Sequence, residues 1–168
     1  MTTQKYSNAQ PVWHFVPLSI FTFGIYEIYC FCRNWRHLKV HKSLDISPLR
    51  RTVGLLVVPI YNIVLAYRQL RDIRDFSREE GIDKTYPPGW ITFSYFIFVA
   101  LLFLPYPFGF LCFLSVWPLP VVQGALNSYW QQEPAELMER KDFSGGEITL
   151  LWIGGILWIL ILIGTFIL

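Results

Sequence analysis

The sequence predicts an all-α protein: a polytopic membrane bundle of four to five embedded helices, forming one domain over residues 1–168. Three observations lead there. Of the 168 residues, 54% are hydrophobic and 15% charged, whereas a soluble domain carries about a quarter charged. The charges are also segregated. Segments 12–32, 90–130 and 148–168 hold no Lys or Arg, and their one acid is Glu27. Uncharged apolar runs of about 20 residues have the length of a membrane-crossing helix. Finally, these runs are continuous rather than alternating. In hydrocarbon the backbone must pair within its own element, so continuous runs point to helices and away from a barrel.

The first segment extends from Trp13 to about Cys32. Trp13 and Trp35 bracket it, about 33 Å apart along a helix, as Trp residues do at membrane interfaces. No small-residue cleavage site follows it, so it reads as a retained anchor. Next comes a basic connector with Arg33, Arg36, Lys39, Lys42, Arg50 and Arg51 against the acid Asp45. Its first half reads as a short surface helix with Trp35, Leu38 and Val40 dipping inward. Ser47 and Pro48 form a helix start, as N-cap and first helical residue.

The second segment, 53–67, is about 15 residues or about 22 Å long, which is short for a span. Pro59 and Asn62 lie in its middle, so it is expected to be short or half-embedded. Leu70, Ile73 and Phe76 recur at helical spacing through 68–80 and mark a cytoplasmic amphipathic extension. Arg68–Asp72 and Arg71–Asp75 are candidate i,i+4 pairs, and Gly81 is a natural stop. The stretch 90–130 is divided by Pro105-Tyr106-Pro107-Phe108-Gly109, a tight turn that allows a shallow hairpin. Pro118 and Pro120 should kink its second arm. In the last run, 148–168, Gly154 and Gly155 suit close helix contact. A short internal echo, Pro-x-x-(Asn/Gln)-x-x-Leu, joins Pro59–Leu65 to Pro120–Leu126.

Charge placement bears on topology. If all five segments cross, neither orientation gives a clear excess of cations on one side. If 53–67 enters and returns, with the N-terminus outside, all but Lys5 of the 14 Lys and Arg face the cytoplasm. Positive charge marks that side, so the second arrangement is expected. The connector 33–51 is then poised over anionic lipid headgroups.

Glu27 is the one acid within the apolar runs, and an intramembrane carboxylate is a candidate functional group because its desolvation must be offset. Pairing with Arg33, Arg36 or Arg68 is the structural alternative. Asn62, Gln123 and Asn127, with Ser128, are the other intramembrane polar candidates, suited to hydrogen bonds between helices. His37 and His41 have i,i+4 spacing, but no His-Glu-x-x-His or Cys-x-x-Cys completes a metal site. Cys30, Cys32 and Cys112 are an odd, irregularly spaced set that reads as buried thiols. No Gly-x-Ser-x-Gly and no phosphate-cradling Gly loop is present. No cofactor or metal is expected, and the net charge of +2 is too small to suggest nucleic acid.

The run Thr22-Phe23-Gly24-Ile25-Tyr26-Glu27-Ile28-Tyr29, followed by Asn34-Trp35, resembles the signature of a family of uncharacterised bacterial multi-pass inner-membrane proteins. Asp45-Ile46-Ser47-Pro48, Pro59-Ile60-Tyr61-Asn62 and Leu119-Pro120-Val121-Val122-Gln123 extend the resemblance over most of the chain. Cys30 and Cys32 stand where that pattern carries aromatics. The resemblance implies a bacterial inner-membrane location and no particular activity. The expectation is a non-enzymatic membrane protein: a scaffold, an accessory subunit or a lipid-contacting module, its further partner a protein or a second copy. Two rivals are a transporter or channel subunit around Glu27, and an intramembrane enzyme.

Overall fold

The computed structural model describes residues 9–57, 60–82, 86–105, 107–130 and 141–167. Among these the regular structure is entirely helical: α1 (Val12–Phe21), α2 (Ile25–His41), α3 (Pro48–Val57), α4 (Tyr61–Glu79), α5 (Pro88–Ala100), α6 (Leu119–Trp130) and α7 (Gly145–Ile167). A 3-10 turn, Leu101–Phe103, prolongs α5, and a 3-10 segment, Phe108–Val116, leads into α6. Two stretches, Phe108–Trp130 and Gly145–Thr165, are long and apolar enough to cross a membrane; Val12–Phe21 and Pro88–Phe103 are shorter apolar helices.

The first segment is not one helix, and this corrects the expectation of a single span from Trp13 to Cys32. Gln10 and Arg33 would lie about 35 Å apart along a continuous helix, yet the Arg33 guanidinium donates to Gln10 Oε1 at 2.7 Å. The chain reverses at Thr22-Phe23-Gly24. The Phe23 N–H bonds the Ile20 carbonyl and the Gly24 N–H bonds the Ser19 carbonyl, the paired closure that ends a helix on a left-handed residue. Here two consecutive residues are left-handed, Phe23 at φ 52° and Gly24 at φ 81°. Thr22 joins the two helices, its hydroxyl donating to the Leu18 carbonyl (2.7 Å) and accepting from the Tyr26 N–H (3.0 Å). The 33–41 stretch is the far end of α2 rather than a separate surface helix. Trp35 is correspondingly no interfacial anchor: it is fully buried, with the Arg51 guanidinium 3.9 Å over its ring.

The segment 53–67 also turns back. The Gly54 backbone lies against Leu65 and Tyr61, a meeting that a continuous helix would forbid. Ile60, at φ 70°, precedes α4; Pro59 lies outside the described residues. The 68–80 extension is thus the second half of α4. As expected, its Leu70 and Ile73 face the core, packed with Phe31, Trp35, Leu126 and Trp130. Ser47 caps α3 through the Arg50 N–H, and Gly81 ends α4 at φ 73°. The expected i,i+4 ion pairs are replaced by Arg71–Asp72 and Arg74–Asp75, between adjacent residues.

The third reversal follows Leu104 and is the hairpin expected from its prolines. Gly109 sits so close to the Leu104 and Leu102 carbonyls that a side chain would meet them. α7 starts beside α1, with His14 stacked on Phe143 at 3.9 Å, and Gly154 lies against the Phe21 backbone. The indole of Trp158 donates to the Ile20 carbonyl.

These contacts give the molecule two ends. At one, the C-terminal ends of α2, α4 and α6 meet. Lys42 bridges Glu79 and Glu80 at 3.2 and 3.1 Å, and His37 lies 5.1 Å from Trp130. At the other are the tips of three helical hairpins, α1–α2, α3–α4 and α5–α6. Bare apolar side chains project from two of these tips: Ile60 is 77% exposed and Phe103 87%.

Candidate functional site

Two polar clusters interrupt the apolar interior. The one nearer the charged end is built from helix starts and ends. Asn127, on the last turn of α6, accepts from the Gln10 N–H (3.1 Å) and donates to the Gln10 carbonyl (2.6 Å). It also accepts from Gln123 one turn earlier, at 2.8 Å. Arg33 donates to Gln10 Oε1 and to Gln123 Oε1 (3.3 Å). The Gln10 amide in turn donates to the Tyr26 hydroxyl and to Glu147 Oε1, while Tyr26 donates to the same carboxylate oxygen at 3.2 Å. Gln10 is thus the relay between a cation on α2 and an acid on α7. Each charge has hydrogen-bond partners, which a buried ion requires.

Glu147 has a second role. Its other oxygen accepts from the Ser144 N–H at 2.8 Å, and the Glu147 N–H donates to the Ser144 hydroxyl at 3.3 Å. This is a reciprocal capping box at the start of α7. Sequence reasoning passed over Gln10, Arg33 and Glu147 as cluster members. The Ser-x-x-Glu spacing before an apolar run was a signal for Glu147; nothing local marks Gln10. The arrangement locks α1, α2, α6 and α7 together.

The second cluster lies at the depth of the first two hairpin tips. Glu27 is the third residue of α2, whose N-terminal dipole favours a carboxylate there. One of its oxygens accepts from the Tyr95 hydroxyl of α5 at 2.7 Å. Among the described residues no Lys or Arg pairs with Glu27, which removes the expected partnership with Arg33, Arg36 or Arg68. Glu27 and Asn62, from the first turn of α4, line one cavity of about 290 Å3. A smaller cavity of about 100 Å3 on the charged side shares Glu27 and Tyr95 and reaches Gln123. The four polar candidates therefore divide: Glu27 with Asn62 at the tips, Gln123 with Asn127 in the lock. Tyr95 was missed because it is one aromatic in a run of them.

The charged end has its own electrostatics. Partial burial works against the Lys42 ammonium, but the hydrogen bonds it donates to Glu80 and Glu79 outweigh it and hold its pKa above the ordinary lysine value. Arg51, over Trp35, is pulled the other way by burial. Of the connector, Arg36, Lys39 and Arg50 are exposed; Arg33 is engaged in the lock.

No family model, curated protein or solved structure matches the chain.

Proposed function

We propose that the chain is a small non-enzymatic protein of a bacterial inner membrane, seated by its apolar end and serving as a lipid-contacting scaffold or accessory module. The observation supporting this is the separation of charge from apolar surface along the helix axes. Among the described residues every Lys and Arg except Arg68, which lies in the tip half of α4, belongs to the end where the C-termini of α2, α4 and α6 gather or to the half of a helix nearest it. The opposite end exposes Ile60, Phe103 and Trp117, and most of α7. An exposed apolar surface of this kind marks a membrane or partner contact.

Helix lengths suggest the depth of each element. α1, of ten residues, is about 15 Å long, half a hydrocarbon core. The α1–α2 and α3–α4 hairpins then dip in and return. Such mid-depth turns are tolerated where protein surrounds them or they line a cavity. The second arm of the α5–α6 hairpin, Phe108–Trp130, and α7 are long enough to cross, while the first arm, Pro88–Phe103, is shorter. On this reading the embedded helices are a mixture of crossings and re-entrant pairs, and the start of α1 shares the cytoplasmic side with the basic loops, in place of the outside N-terminus first expected.

Arg36, Lys39 and Arg50 would then face anionic headgroups, each worth on the order of 1 kcal/mol. The test is lipid analysis of protein purified in mild detergent. Anionic phospholipid should be enriched over the membrane average, and the triple variant Arg36→Gln, Lys39→Gln, Arg50→Gln should lose that enrichment. Equal lipid profiles in both would refute headgroup binding. The mid-depth cavity favours a second reading, a transporter or channel subunit; proteoliposome flux abolished by Glu27→Gln would decide for it.

A further inference from the structure

The cavity below the hairpin tips has a one-sided chemistry. Among the described residues its one formal charge is the Glu27 carboxylate, beside the neutral Ser19, Asn62, Tyr95 and Ser115. Glu27 is an acceptor when ionised, and the Asn62 Oδ1 has no hydrogen-bond partner. The Tyr95 hydroxyl has already given its hydrogen to Glu27. Among the described residues no Lys, Arg or His lines the cavity, and the rings of Phe23, Phe96 and Phe113 do. The nearest cation along α2, Arg33, is held by Gln10 and Gln123. A carboxylate with no facing cation, a buried unpartnered amide oxygen and aromatic faces repel an anion and favour a cation. A bare divalent ion would need six or more oxygens and more than one carboxylate in its shell.

We infer that this cavity binds a hydrophobic organic amine in its ammonium form. The charge sits against Glu27, an N–H reaches Asn62 Oδ1, and the apolar body lies among the phenylalanine rings, whose faces attract cations. Size permits it: an apolar cavity of about 150 Å3 holds benzene, and this one is about 290 Å3. A small apolar pocket with a few oriented polar groups is the usual form of a ligand site.

The experiment uses the whole chain, purified in an uncharged detergent. 2-Phenylethylamine is the probe and 2-phenylethanol its uncharged counterpart, with protein-free micelles as the blank. Calorimetry should show saturable binding of the amine to one site, at least tenfold tighter than the alcohol. Glu27→Gln should weaken the amine at least tenfold and leave the alcohol unchanged. If Glu27→Gln does not fold, as judged by gel filtration, Asn62→Val takes its place and should weaken the amine a few-fold. Equal affinity for amine and alcohol, no saturable amine binding above the blank, or undiminished amine binding by a folded Glu27→Gln variant would each overturn the inference. Because the assay is done in detergent, its outcome does not depend on how the chain is seated in a bilayer.

Discussion

Asn127 holds the backbone of Gln10 by both its donor and its acceptor, as a neighbouring strand would. Gln10 is buried, so removing that side chain leaves a peptide N–H and a carbonyl without water or partner. Each such group costs about 1–3 kcal/mol. Asn127→Leu should therefore destabilise the fold by about 2–5 kcal/mol, and Asn127→Asp, which keeps only the acceptor, by less. Thermal unfolding in detergent measures both. Tyr86 makes a different kind of point. Its hydroxyl donates to the Leu70 carbonyl at 2.8 Å, and burial raises its pKa above the ordinary 10.0. The folded state then keeps a proton that the unfolded state releases, so the stability it contributes is intact below pH 10.0 and falls as the pH rises through that value. Wild type should lose more stability between neutral and strongly alkaline pH than Tyr86→Phe does. Parallel slopes would place the phenol in contact with water.

At the scale of elements, two features set how the helices meet. One is the close approach of α7 to α1. A Cβ at position 154 would stand 2.1 Å from the Phe21 carbonyl oxygen, whereas one at 155 would first meet the Phe21 ring at 3.9 Å. Backbone cannot yield as a flexible side chain can. Gly154→Ala should cost about 1–3 kcal/mol through overpacking. Gly155→Ala should be neutral or stabilising, since alanine is the better helix former by about 1 kcal/mol. Unfolding of the two variants side by side is the test, and equal effects would mean that α1 and α7 do not pack through this face. The other feature is the Thr22-Phe23-Gly24 reversal. It places Glu27 at the start of a helix rather than in the middle of one, which aligns α2's dipole with the carboxylate.

At the scale of the whole molecule, the hairpins put the ends of α2, α4 and α6 together. With the chain seated in the membrane as proposed, this predicts a labelling pattern in intact cells with the native cysteines replaced. Cysteines at Ser43, Arg78 and Lys141, all exposed, should be shielded from an impermeant maleimide until the cells are permeabilised. A cysteine appended after Leu168 should react in intact cells if α7 crosses. Position 78 is the better reporter on α4 because its neighbour Ser77 is buried. Reaction at 43 without reaction at 78 would mean that the α3–α4 pair crosses, and the two-ended arrangement would fail. Membrane retention after a carbonate wash checks the coarser claim.

Hydropathy, charge clustering and turn residues were enough to read the all-α class, the start of α3 at Ser47-Pro48, the end of α4 at Gly81 and the hairpin at Pro105–Gly109. Those signals are local: a cap, a left-handed glycine or a proline acts on its own few residues. Glu27, Asn62, Gln123 and Asn127 were legible because polar groups stand out in apolar runs. Their division into two clusters was not, since it depends on the reversal at Thr22-Phe23-Gly24. There a continuous hydropathy profile conceals a helix end, because an apolar Phe23 occupies the left-handed position where glycine would have announced it. Gln10, Arg33 and Glu147 meet only after α1 folds back on α2 and α7 docks beside α1. A hydrogen bond between residues more than a hundred positions apart leaves no periodicity to read, so that lock, and the cavity around Glu27, were decided by the tertiary structure alone.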